Sequence, residues 1–407
     1  MNILIINSGS SSLKFQCLDM DSKTTKCKGQ IERIGLETGL ITYKPGSGDA
    51  LRKEEKITDH GAAMAIVLDL ITGEEHGVLG YSDIEAVTHR FVHGGDKISK
   101  AEPITEDLIR IIKDNFDLAP LHNPPALKGF LAAKEHMPHI PHIGIFDTAF
   151  HSTIPPENYL YAIPGIYNEK YQIRKFGFHG ASHKWAALKT AEYLGMPHEE
   201  LNSVSIHIGG GVSAAAIRGG KSIDTSVGFG TNAGMSMGTR SGDLDTDVIF
   251  FMQENLGMTI PEIRELLYRK SGLLGLSEVS SDMRDVIAAA REGNKKAALA
   301  IGNFSHLARR YIAALSTNLE DRMDALVFTA GIGENSPFIR EEICRGLGIL
   351  GIRLDNDKNK AVKGETGVIS SGDSSVKVLV IPTNEEMMMA IETRDVVLAM
   401  NNTGEAK

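Results

Sequence analysis

The stretch "NSGSSSLK", residues 7–14, follows the apolar run "ILII" and leads into "FQCLD". Glycine and serine in a tight turn let backbone N–H groups and the Ser10 and Ser12 hydroxyls converge on phosphate oxygens without a helix N-terminus. Lys14 adds a point charge on the returning strand, and Asn7 offers a neutral oxygen near a metal. A ligand-free polar hairpin turn is the plainer alternative. The plan returns in the second half as "SVSIHIGGGVSAAAIRGG", with a strand to His207, a turn at Gly209–Gly211 and a strand through Ala214–Ile217. Two such hairpins facing one another would hold a polyphosphate between two domains.

Other residues suit the same chemistry. "TAGIGENS" (329–336) follows a strand and precedes a capped helix, where a glycine turn can approach a nucleotide. "THRFVHGG" and "GTRSGDLD" place Arg90 and Arg240 beside glycines at strand ends. Arginine's planar fork matches carboxylate or phosphate, and only Asp243 and Asp245 are nearby carboxylates that could occupy Arg240. His179 and His183 in "FHGASH" have metal-pair spacing but no third ligand, so donation to a phosphoryl oxygen is the better use. Asp147 ends an apolar strand, where a buried carboxylate needs a partner. It could orient an arginine, hold metal-bound water or act as a base. Glu385, at the start of the last helix, is a second group able to reach a metal.

The elements that must position these groups read as α/β. Apolar runs end strands at "THRF", "GIFD" and "LVFT". Asn123 with Pro124, and Ser336 with Pro337, read as N-caps followed by proline. Residues 294–319 form an amphipathic helix, and Thr383-x-x-Glu386 has a capping-box pattern. A chain of 407 residues exceeds the usual single core, so two domains are expected, with a boundary near residue 150. Apolar residues make up 42% and charged residues 23%. The net charge of −9 disfavours nucleic acid or an anionic membrane as partner. Three cysteines without a CxxC pair fit a reducing compartment. No apolar run approaches the roughly 20 residues that span a bilayer. A cytoplasmic location is therefore expected.

"NSGSSSLK", "HRFVHGG", "LAPLHNPP", "DTAFH", "FGFHGASHK", "GKSIDTSVGF", "GTRSGD", "SGLLGLSEVSSDMRD", "TAGIGENS" and "IPTNEE" together resemble the acetokinase family, in matching order from residue 2 to about 398. The resemblance implies two duplicated actin-like (ribonuclease H-like) domains, 1–150 completed by a helix at 383–400, and 151–382, with a nucleotide cleft between them. It implies reversible phosphoryl transfer from ATP to a short carboxylate such as acetate, giving an acyl phosphate and ADP. Mg2+ is the implied metal, with Mn2+ as a substitute, and a homodimer the implied assembly. By the same resemblance Asn7 and Glu385 hold the metal, while Lys14, His207, Gly209, Gly210 and Gly211 contact the phosphates. Asp282, Met283 and Arg284, with Gly331, Ile332, Gly333, Glu334 and Asn335, contact the nucleotide. Arg90, Val92, Leu121, His122, Phe178 and Thr231 form the substrate pocket, and Asp147, His179, Arg240 and Arg90 are catalytic.

An acetate-like acceptor is already ionised at neutral pH and needs no general base. Asp147 is therefore expected to orient Arg240 or metal-bound water rather than abstract a proton. Two departures bear on specificity. Gly210 stands where the family has asparagine, and Thr231 and Ala233 stand where it has proline and glutamate. These leave open propionate or another short acid as acceptor, and pyrophosphate as donor. A nucleotide-dependent switch of the actin and chaperone type is the alternative from another class.

Overall fold

The computed structural model describes residues 1–403, which divide into two compact units. One comprises Met1–Ala149 with the chain from Asn384 onward, and the other Phe150–Thr383. The first unit carries strands β1 (Asn2–Ser8), β2 (Ser12–Asp19), β3 (Thr24–Glu32), β4 (Gly39–Pro45), β5 (Leu51–Glu55), β6 (Ile84–Phe91), β7 (Glu102–Pro103) and β8 (His142–Phe146). They form one sheet in the order β5-β4-β3-β2-β1-β6-β8-β7. The second unit carries β9 (Asn202–Ile208), β10 (Val212–Arg218), β11 (Lys221–Thr225), β12 (Ala325–Thr329), β13 (Gly367–Val368) and β14 (Lys377–Val380), in the order β11-β10-β9-β12-β14-β13.

The two sheets repeat one topology. β3-β2-β1 and β11-β10-β9 are antiparallel meanders, to which β6 then β8, or β12 then β14, add in parallel. The parallel strands are buried on both faces, which is why "ILII" and "ALVF" read as unbroken apolar runs rather than alternating ones. In the first unit helices 60–72 and 123–136 pack together and the second of them lies on β1 and β6. Helix 385–403 also packs on β1, β6 and β8, and the buried Thr88 and Thr393 hydroxyls lie 2.7 Å apart. In the second unit the 22-residue helix Lys295–Ser316 buries Ala297, Ala300, Ile301, Phe304, Ala308, Ile312 and Leu315. That 3.6-residue stripe covers β9 and β10, and the Asn294 side chain caps it at the Lys296 and Ala297 amides.

Three local expectations change. Asn123 is the first residue of its helix, not the cap. Its buried side chain instead clamps residue 93, accepting from the His93 amide at 3.2 Å and donating to the His93 carbonyl at 2.7 Å. The cap of the last helix falls one residue later than Thr383, at Asn384, whose side chain accepts from the Met387 amide at 3.0 Å. "AGIGEN" is not a glycine turn but a short helix, Ala330–Asn335, which Ala330 starts from a strained left-handed backbone with φ 64°. Ser336 does cap the following helix, Pro337–Cys344, through the Ile339 amide.

That short helix is braced by Arg340, which is fully buried. Its guanidinium donates to the carbonyls of Gly333, Glu334, Asn359 and Val362 and to the Asn359 side chain, all at 2.7–2.8 Å. Burial pushes it down to about 10, but all five donors are used. Arg340→Met is expected to cost about 3 kcal/mol, because four carbonyls and an amide oxygen lose their donor. The check is a urea unfolding curve; an unchanged midpoint would mean that this brace adds nothing net.

Candidate active site

In the first unit the two strand-end charges meet. Arg90 is the penultimate residue of β6, and Asp147 follows β8, its parallel neighbour. The Arg90 Nε donates to Asp147 Oδ1 at 2.8 Å and Nη2 to Oδ2 at 2.9 Å, a bidentate fork. Its Nη1 lies 3.1 Å from Glu385 Oε2 on the last helix. Burial alone would lower the Arg90 guanidinium, but Asp147 and Glu385 beside it hold it above its ordinary value. Burial raises Glu385 above the usual glutamate range, Arg90 opposing and Asp147 and Glu386 adding to the shift. Arg90 thus engages both Asp147 oxygens, so the arginine that Asp147 orients within this unit is Arg90.

Of the residues expected in the substrate pocket, Val92 is half-buried, His122 exposed and Leu121 69% exposed. The first hairpin turn is closed by the Gly9 amide donating to the Ser12 carbonyl at 2.7 Å, with Ser10 exposed and Ser12 half-buried. Asn7 and Lys14 are cross-strand partners. Both line a cavity of about 500 Å³ shared with Gln16, Lys28, Lys44 and Glu386.

In the second unit the other hairpin brings three groups together. Its turn is closed by the Gly209 amide donating to the Gly211 carbonyl at 3.0 Å. A Cβ on Gly211 would lie 3.1 Å from the His179 ring and 3.9 Å from Arg240 Nη1, so glycine there lets the backbone approach both. A Cβ on Gly210 would meet nothing within 4 Å, so no steric demand explains the missing asparagine. His179 has φ 58°, the left-handed conformation, at the start of helix Gly180–Leu194. Its ring stacks on His207 at 4.2 Å with an 11° tilt. His207 Nδ1 in turn lies 2.8 Å from the Ser182 hydroxyl. Phe178, just before His179, is buried.

Arg240 sits in the segment between β11 and helix 246–254. Its Nη1 donates to the Thr231 carbonyl at 2.9 Å, so Thr231, expected as a pocket side chain, also holds the guanidinium through its backbone. Among the described residues no carboxylate pairs with Arg240. Asp243 accepts instead from the Gly234 amide and the Tyr311 hydroxyl, and Asp245 caps helix 246–254. Burial pushes Arg240 below its ordinary value. A partly buried cation without a counter-ion is a prepared anion site.

The nucleotide set divides by role. Arg284 and Asn335 line a cavity of about 490 Å³ with Arg291, Phe338, Lys360 and Lys363. The last four carry no local sequence signal, being scattered over three helices and the turn after the last of them. Asp282 caps helix 283–291 and pairs with Arg284 at 2.6 Å, while Met283 is buried in the core. Asn335 donates to the Gly331 carbonyl at 2.9 Å, and Ile332 packs against the core. The Gly333 carbonyl is taken by Arg340. Glu334 accepts from the Thr383 amide at 2.8 Å.

Asn7 and Glu385 supply an amide and a carboxylate oxygen, the hard donors that Mg2+ takes alongside phosphate and water. Among the described residues no three His, Cys, Asp or Glu side chains cluster as a metal cage. A cation held here would draw its remaining ligands from the phosphates and solvent.

A twice-repeated sheet, with one hairpin turn set beside stacked histidines and a loop arginine that no described carboxylate neutralises, is the outline of a phosphoryl-handling α/β protein. A model described as the Acetokinase family matches residues 2–391. An acetate kinase of Natranaerobius thermophilus is 46% identical over 395 residues, covering 97% of this chain and 99% of that protein. The crystal structure of Porphyromonas gingivalis acetate kinase superposes with a TM-score of 0.93 at 38% identity, covering 97% of this chain and 99% of that one. A propionate kinase from Francisella tularensis gives 0.90 at 37%, with the same coverage. The chain belongs to the acetokinase family.

Proposed function

We propose that this protein is an acetate kinase, a phosphotransferase with a carboxyl group as acceptor, which moves the terminal phosphoryl of ATP reversibly onto acetate. The observation that carries the reading is Arg240, a partly buried guanidinium beside His179 with no carboxylate partner among the described residues. An anionic acceptor approaching an anionic phosphoryl needs repulsion screened and in-line geometry held, not a proton removed. Arg240 and His179 meet that need at the phosphoryl. Arg90, held in orientation by Asp147 and Glu385, is to receive the acceptor carboxylate through the Nη protons that those two contacts leave over. With both oxygens accepting from Arg90, Asp147 works as a positioning residue.

Lys14, His207 and the 209–211 turn contact the phosphates, and Arg284 and Asn335 the nucleoside. Asn7 and Glu385 hold Mg2+, which when bound neutralises phosphate charge. Val92, Leu121 and Phe178 face the acceptor's methyl group. A cytoplasmic homodimer acting on soluble substrates belongs to the same reading.

Trapping acyl phosphate as its hydroxamate tests it. The expected result is product with ATP, Mg2+ and acetate. kcat/KM should be about tenfold higher for acetate than for propionate, the scale on which one methylene is read in an apolar pocket. Hydrolysis of ATP without trapped product would point to a nucleotide switch. A preference for propionate, or for pyrophosphate as donor, would replace the named substrate.

A further inference from the structure

Behind His179 the buried side chains form a hydrogen-bond chain that runs one way. Ser205 Oγ lies 2.6 Å from His183 Nδ1, His183 Nε2 lies 2.7 Å from Ser213 Oγ, and Ser213 Oγ lies 2.8 Å from His179 Nδ1. Ser205, His183 and Ser213 are all 0% exposed.

The far end sets the direction. Among the described residues the Ser205 hydroxyl has His183 Nδ1 as its one partner, so its proton either donates there or is buried unsatisfied, which is costly. Burial, with His151 and His207 nearby, holds His183 neutral. With Nδ1 accepting, the single His183 proton is on Nε2 and donates to Ser213 Oγ. The Ser213 hydroxyl is then left to donate to His179 Nδ1. In the neutral ring that places the His179 proton on Nε2, on the edge 3.1 Å from where a Gly211 Cβ would stand. The reverse polarity would strand the Ser205 hydroxyl proton in the core.

We infer that Ser205, His183 and Ser213 are positioning residues that fix His179 as an Nε2–H donor, ready for an anionic oxygen without tautomer exchange. Its catalytic consequence rests on the phosphoryl role proposed for His179. The neighbouring ring follows the same logic. His151 Nε2 donates to the Phe178 carbonyl at 3.0 Å and its Nδ1 accepts from the Ser222 hydroxyl at 2.8 Å, which anchors the residue before His179.

Two readouts on the full chain test the inference. Long-range 15N–1H correlation of histidine-labelled enzyme should show His179 as the Nε2–H tautomer, and Ser213→Ala should turn it into a mixture. The same variant should lose roughly 10–100-fold in kcat, the usual scale for an orienting partner, with KM for acetate within about threefold and a modestly lowered melting midpoint, because the buried His183 Nε2–H loses its acceptor. Ser213→Thr, which keeps the hydroxyl, should recover most of the rate. A wild-type His179 protonated on Nδ1 would overturn the inference, as would a Ser213→Ala enzyme that keeps both tautomer and kcat. A wild-type enzyme with the predicted tautomer but no acyl phosphate product would keep the chain and remove the kinase reading.

Discussion

Arg240→Ala is expected to lower kcat/KM for acetate about a thousandfold, the scale of a lost phosphoryl-stabilising arginine, while leaving the thermal midpoint unchanged or slightly raised. The two effects part because this guanidinium is held by little that the fold needs. Its strong bond is to the Thr231 carbonyl, and burial without a carboxylate already works against its charge. Removing it takes away an uncompensated cation rather than a completed pair. Arg240→Lys should recover only part of the loss, since one ammonium cannot hold the carbonyl and offer a planar fork to an anion. Steady-state rates beside a melting curve decide it. Activity within tenfold of wild type for Arg240→Ala would remove this residue from the reaction.

The second large effect is on acid stability. His93, His142 and His151 are buried, and burial pushes each down to about 4. His89 and His183 are lowered as well, for the same reason. In the first unit His142 Nε2 donates to the Met137 carbonyl at 3.0 Å. Its Nδ1 is then left to accept from His89 Nε2 at 2.9 Å. Unfolded histidine titrates near 6.5, so between about 6.5 and 4 the unfolded chain binds more protons than the folded one, and stability falls with pH across that window. Each of the three histidines with a folded value near 4 contributes about 1.4 kcal/mol per pH unit there, or about 2 kcal/mol each by pH 5. Unfolding midpoints should be nearly flat above pH 7 and drop steeply from 6.5 downward. A midpoint unchanged from pH 7 to pH 5 would contradict neutral burial of these rings. His142→Gln should flatten the slope without abolishing it.

What could be read from the chain was local. Both hairpins, the strand ends bearing Arg90 and Asp147, and the Ser336 cap depend on neighbours within a few residues. The partnerships were not legible, because they close over long separations. Asp147 meets Arg90 57 residues away, and nothing near "GIFDTAF" says which arginine it takes. Asn123 carried a cap signal beside Pro124, yet its amide is spent on the backbone of residue 93 across a buried contact. "AGIGEN" has the composition of a turn, but six residues become helical when Arg340 gathers the carbonyls at their end. Arg340 itself sits in "PFIREEIC", where a charged helix face reads as solvated. The Ser213 chain was hidden for the same reason, since small hydroxyls on apolar strands give no periodic signal.

The contact between Arg90 and Glu385, with that between Thr88 and Thr393, bears on how the protein is made. The first unit borrows its last helix from beyond residue 384, so no ribosome-bound fragment that ends earlier can complete it. While the second unit emerges, β1, β6 and β8 must wait with an apolar face uncovered and Arg90 tethered to Asp147 alone. Domains that fold as continuous pieces escape this interval, whereas here the first unit stays incomplete until synthesis has passed residue 384.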